Sequence, residues 1–157
     1  MSLDTPELKS VWSVILSKLD KDSYVPSHIS AARLAKVILN DEAEYRRLIN
    51  GAKNLRDGQP SDFVWLSIAV AQELSDDPDN NRDEIYSLTD ETLDRASTTD
   101  FNDLEQIINF IAGRYQGSRL GNVQYAEKAI KTVLDKVTDS KTKASFKKKA
   151  EKSLKNA

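Results

Sequence analysis

His28 is the only imidazole in the chain, and it stands beside Ser27 and two residues before Ser30. A histidine next to a hydroxyl acts as a general base only when a nucleophile and an orienting carboxylate converge on it. Nothing in the sequence brings such a set together. The expectation is a surface or helix-start histidine next to Pro26. One histidine and no cysteine also exclude a thiol nucleophile, a disulfide and a histidine- or thiolate-based metal site.

Asp77, Asp79, Asn81 and Asp83 occupy alternate positions, the spacing with which a calcium loop supplies its first oxygen ligands. The pattern breaks where that chemistry needs it most. Arg82 replaces the glycine of the sharp turn, and Leu88 stands where a bidentate glutamate closes the shell. The segment is therefore expected to be a solvated acidic connector. The other carboxylates fall in polar stretches, whereas a catalytic pair needs burial or a close neighbour to split its pKa values. No phosphate-cradling loop, nucleophile elbow or zinc-protease pair is present. These absences predict a protein that is not an enzyme and uses no cofactor.

Gly113, Gly117 and Gly121 recur every four residues with Arg114 and Arg119 between them. On a helix this spacing would clear a groove for a second backbone, and as a loop it would offer N–H groups and guanidinium groups to an anion. A glycine-rich turn is the plainer expectation.

Charge is the most informative remaining feature, because a net −2 conceals a segregated distribution. From Glu73 to Glu105 twelve acids face only Arg82 and Arg95, while residues 141–157 carry seven lysines against Glu151. Within the first block, Asp83, Glu84, Asp90, Glu91 and Asp94 are the candidate partner-binding residues, since an exposed acidic face steers a cationic partner. Lys141, Lys143, Lys147, Lys148, Lys149, Lys152 and Lys155 are the candidate polyanion-binding residues, because lysines neutralise phosphates and release counterions. With no arginine and only Phe146 as an aromatic, that segment is poorly equipped to read or stack on bases.

The elements that must position these residues all carry helical periodicity. Thr5-Pro6-Glu7 is a helix start, followed by Leu8, Val11, Trp12, Ile15, Leu16 and Leu19 on one apolar face. Pro26 breaks the chain, and Ser27 or Ser30 is expected to cap a second helix running to about Asn40, its stripe formed by Ala31, Leu34, Ala35 and Ile38. Asp41 to Glu44 opens a third helix with Tyr45, Leu48, Ile49 and Ala52, giving a helical hairpin. Phe63 to Leu74 is apolar nearly all round, which predicts a fully enclosed helix with Trp65 inside it.

A fifth helix uses Ile85, Leu88, Leu93 and Ala96, and a sixth uses Leu104, Ile107, Ile108 and Ile111 after Asp100. A seventh spans about Asn122 to Val137. No stretch alternates as a half-buried strand does. The class is all-α, a compact bundle or short stack of about seven to eight helices arranged as hairpins.

Laying Asp62–Ala96 over Asp100–Val137 aligns Asp62-Phe63 with Asp100-Phe101 and Leu66 with Leu104, which hints at a repeated helix pair. Gly121 through Leu134 resembles the second helix of a tetratricopeptide repeat over that one helix, without the family's other small and aromatic positions.

Residues 1–138 are expected to form one domain, with 139–157 a lysine-rich helix or frayed tail that offers few apolar side chains. The chain shows no signal-like start, and its longest apolar run, Phe63 to Ala71, falls short of the roughly 20 residues that cross a bilayer. A cytoplasmic protein without membrane contact is the expectation.

Two functions fit this pattern. The first is a non-enzymatic protein-protein interaction module, an adaptor, regulator or immunity-type inhibitor, that presents the acidic surface to a basic partner. The second is a nucleic-acid-associated protein using the lysine tail and Arg33, Arg46, Arg47 and Lys53 of helices two and three. The second ranks lower because Asp41, Glu42 and Glu44 stand where phosphates would approach.

Overall fold

A computed structural model describes residues 5–96, 101–112 and 123–155. Among the described residues there are eight α-helices, one 3-10 turn and no strand, so the chain is all-α. The helices are α1 (Pro6–Leu19), α2 (Val25–Val37), α3 (Glu42–Asp57), α4 (Phe63–Leu74), α5 (Pro78–Arg95), α6 (Phe101–Ala112), α7 (Val123–Lys136) and α8 (Ser140–Lys155), with the 3-10 turn at Pro60–Asp62. The glycine-rich run 113–121, with Arg114 and Arg119, and the cap expected at Asp100 lie outside the described residues. No helix is long and apolar enough to cross a membrane among the described residues. The chain divides between Leu66 and Ser67, inside α4, into two compact units.

In the first unit the Thr5 hydroxyl accepts from the Leu8 N–H at 3.2 Å, and Pro6 occupies the first turn, so α1 begins where the cap signal put it. Its apolar face is less covered than the periodicity implied. Only Leu19 is buried, and Val11 is 55% exposed. Periodicity indicates which side of a helix turns inward but not how much neighbouring chain is available to cover it.

The second helix starts earlier than expected, at Val25, with Tyr24 rather than Ser27 or Ser30 at its boundary. Pro26 is tolerated because a first-turn residue has no intrahelical N–H bond to lose. Ala31, Ala32 and Ala35 are buried, whereas Leu34 and Ile38 of the expected stripe are exposed. Small side chains let α2 lie close on α3, whose Tyr45, Leu48, Ile49 and Ala52 are all buried. The helix ends at Val37, and Asn40 reverses the chain with a positive φ of 53°. Asparagine tolerates that region better than most residues. Asp41 then caps α3 by accepting from Glu44 N–H at 3.0 Å, completing the hairpin.

The C-terminal end of α3 carries a buried arginine. Arg56 is 2% exposed, its guanidinium lies 4.6 Å from the centre of the Phe63 ring, and it pairs with Asp57 at 3.1 Å. Gln59 donates to the Ser23 carbonyl at 2.9 Å and so ties the turn after α3 to the one before α2.

Helix α4 does not bury all of its apolar residues. Phe63, Val64, Leu66, Val70, Ala71 and Leu74 are inside, but Trp65 is 45% exposed. An indole is large and amphipathic and is often only partly covered, so a uniformly apolar sequence does not require uniform enclosure.

In the second unit the core is built from Val70 and Leu74 of α4, Ile85 and Leu88 of α5, Ile107, Ile108 and Ile111 of α6, and Ala126, Ile130 and Val133 of α7. Buried Asn81 donates to the Leu74 carbonyl at 2.9 Å, which satisfies one of the last acceptors of α4 and fixes the turn into α5. Thr89 and Thr92 return their hydroxyls to the carbonyls of Ile85 and Leu88, at 2.8 and 2.6 Å, and so are satisfied without leaving the helix.

The lysine-rich segment forms a full helix. Asp139 caps it, accepting from both the backbone N–H and the hydroxyl of Thr142 at 2.8 and 2.7 Å. These bonds hold the Asp139 carboxyl below its ordinary range. Helix α8 packs on α6 and α7, with Phe146 5% exposed and Ala150 buried. Few apolar side chains thus suffice to seat the helix, because those it has, Phe146 and Ala150, are both buried.

Candidate functional site

The most developed surface feature lies in the second unit, where α5 and α7 run together. At about 100° per residue, Asp83, Asp90 and Asp94 fall within an arc of about 40° on α5, opposite the buried Ile85, Leu88 and Thr92. All three are exposed. Glu84 and Glu91 form a parallel row about 90° round the helix and are half-buried. Glu91 is met by Arg95 at 3.6 Å, one turn along. The five sequence-chosen acids therefore stand as two rows on one helix. Asp83 and Asp94 carry no ion pair among the described residues.

The facing side of α7 presents Tyr125, Lys128, Ala129, Thr132 and Lys136, which recur at helical spacing. Tyr125 stacks on Tyr86 of α5, with ring centres 4.0 Å apart and planes inclined by 22°. Its hydroxyl donates to the Asp90 carboxylate at 2.8 Å and approaches the Tyr86 carbonyl at 3.2 Å. Burial, followed by the bond to and charge of Asp90, pushes the Tyr125 phenol well above its ordinary pKa. Lys136 donates to the Leu93 carbonyl near the C-terminus of α5, where the helix dipole favours a cation.

Between these walls lies a groove of about 350 Å³ lined by Asp90, Leu93, Asp94, Tyr125, Lys128, Ala129 and Thr132. Its lining mixes the carboxylates of Asp90 and Asp94, the ammonium of Lys128 and the hydroxyls of Tyr125 and Thr132 with the apolar Leu93 and Ala129. A small recess of only about 10 Å³, lined by Ala71, Leu88, Ile107 and Phe110 among others, has room for no more than a water molecule. Tyr86, Tyr125, Lys128 and Thr132 were not singled out from the sequence. Their spacing on α7 was legible, but no sequence signal pairs α7 with α5.

The remaining candidates are placed as follows. The His28 ring nitrogen Nε2 lies 2.8 Å from the Asp22 carbonyl and donates to it, bracing the turn before α2. Asp22 in turn accepts from Tyr24 N–H at 2.8 Å and from Ser27, bonds that lower its pKa. Asp77 precedes α5, while Asp79, Asn81 and Asp83 lie within it, where alternate residues point about 200° apart and cannot converge on one ion. No metal-holding group of side chains occurs among the described residues.

On the α2–α3 hairpin, Glu44 grips Arg47 with two bonds of 2.9 and 2.6 Å, and Arg46 stands 3.9 Å from Glu42. Two of the basic residues proposed for nucleic acid there are thus engaged by their own helix. All seven α8 lysines are exposed, and Lys149 pairs with Glu105 of α6.

Comparison of the chain with family profiles, with curated proteins and with solved structures gives no match in any of the three.

Proposed function

We propose that this chain is a non-enzymatic protein-protein interaction module whose second unit offers the acidic face of α5 to a basic partner. The observation that carries the reading is the exposed row Asp83, Asp90 and Asp94, two members of which form one wall of the α5–α7 groove. A lysine or arginine of the partner enters beside Asp94, its stem lying along Leu93 and Ala129. Asp90, already oriented by Tyr125, needs no rotamer search to accept it. Lys128 on the opposite wall repels misplaced cations and favours approach from the α5 side. Such complementarity acts chiefly on the rate of encounter and on the rejection of like-charged partners. An adaptor, regulator or immunity-type inhibitor working in the cytoplasm would use the surface in this way.

The test is a capture experiment run in parallel with the native chain and with Asp83, Glu84, Asp90, Glu91 and Asp94 all changed to their amides. Basic proteins retained by the first and lost by the second are expected, with association rates that fall as salt is raised. Recovery of the same proteins by both, at equal rates in low salt, would refute the reading.

A further inference from the structure

The α8 lysines are not distributed evenly around their helix. With Phe146 and Ala150 fixing the buried side, Lys141, Lys148, Lys152 and Lys155 fall within an arc of about 60° on the opposite side. The row runs about 21 Å along the axis. Lys149 turns instead toward Glu105, and Lys143 and Lys147 lie on the other flank. None of the four in the row has an ion-pair partner among the described residues, unlike Arg46, Arg47, Arg56, Arg82 and Arg95, each of which meets a carboxylate. A helix held by core contacts keeps its cations in line without paying to order them at the moment of binding.

We propose that this row binds the phosphate backbone of duplex nucleic acid without regard to sequence. A duplex carries one phosphate charge about every 1.7 Å of its axis, both strands counted, so four cations spread over this length have phosphates to neutralise. Phe146, the sole aromatic of α8, is in the core and stacks on no base, and lysine rows position a duplex without reading it. A lipid surface is the poorer fit, because α8 has already spent its apolar face on α6 and α7 and has nothing to insert. This surface is separate from the acidic face of α5 and stands or falls independently of it.

The experiment is fluorescence anisotropy of a labelled random-sequence duplex titrated with the full chain across a salt series. Four engaged lysines give a slope of log K against log salt of about −3.6, a loss of about two orders of magnitude in affinity between about 50 and 200 mM. Changing Lys141, Lys148, Lys152 and Lys155 together to glutamine should abolish binding and flatten that slope. An equal charge change at Lys18, Lys21, Lys143 and Lys147 should leave most of it.

Circular dichroism of each variant reports whether helix content is kept. If the row variant loses helix, the slope of the native chain decides. The proposal is overturned by equal loss in the two variants, by a native slope near zero, or by binding to mixed phosphatidylcholine–phosphatidylserine vesicles without binding to the duplex.

Discussion

Replacing Phe146 by alanine tests whether α8 belongs to the core of the second unit. The side chain is 5% exposed on a helix that packs on α6 and α7, so its truncation forfeits nearly all the transfer energy of a phenyl group and opens a gap in that packing. Transfer alone is worth about 1.5–3 kcal/mol for a fully buried side chain. The cavity term raises the usual cost to about 3–5 kcal/mol. A terminal helix relaxes into such a gap more readily than a central one, which places the expected loss near the lower end, at about 3 kcal/mol.

For a unit of this size, each kcal/mol moves the melting temperature by about 4–8 °C, so a fall of roughly 12–24 °C is expected. Urea denaturation followed by circular dichroism should show the midpoint falling with the m-value unchanged. Lys148→Ala, one residue pair further along and facing out, serves as the control and should change little. A Phe146→Ala loss within about 0.5 kcal/mol, the range of surface substitutions, would refute the packing of α8. It would also return the segment to the frayed tail that its few apolar side chains allow.

Trp65→Ala should cost well under the roughly 3–5 kcal/mol of a buried tryptophan, and acrylamide should quench its fluorescence, because nearly half of it meets solvent. Tyr125→Phe keeps the stack on Tyr86 and removes only the bond to Asp90, so a loss of about 0.5–1.5 kcal/mol is expected from denaturation at neutral pH. The raised phenol pKa of Tyr125 means that the unfolded chain releases that proton first. Its contribution is therefore intact below about pH 10 and lost as pH climbs above it, and the phenylalanine variant should show a shallower alkaline decline. Glu44, held below the ordinary carboxylate range mainly by Arg47, has the opposite sign. Its contribution is present above its unfolded pKa and lost as pH falls through the folded one, so Glu44→Gln should flatten the acid limb of the stability curve.

Local chemistry wrote much of this protein into its sequence. Thr5 with Pro6 and Asp41 with Glu44 start helices by satisfying N–H groups that no intrahelical carbonyl can reach, and such signals act within three or four residues. The apolar periodicity of α5, α6 and α7 fixed the all-α class for the same reason: the repeat of a helix is a property of the chain itself. The acids of α5 and the lysines of α8 were legible as charge blocks.

What the sequence left open was decided by which surfaces met. Val11 and Trp65 carry the same apolar signal as Leu19 and Leu66, yet stand partly in solvent because coverage depends on distant chain. The few apolar side chains of the lysine-rich segment left open whether it would fray, and Phe146 became a core residue because α8 packs on α6 and α7. Tyr125 and Asp90 lie far apart in sequence and share a hydrogen bond only because α7 lies beside α5. Periodicity orients a helix about its own axis, but the choice of neighbour is a sum over many weak contacts that no single segment carries.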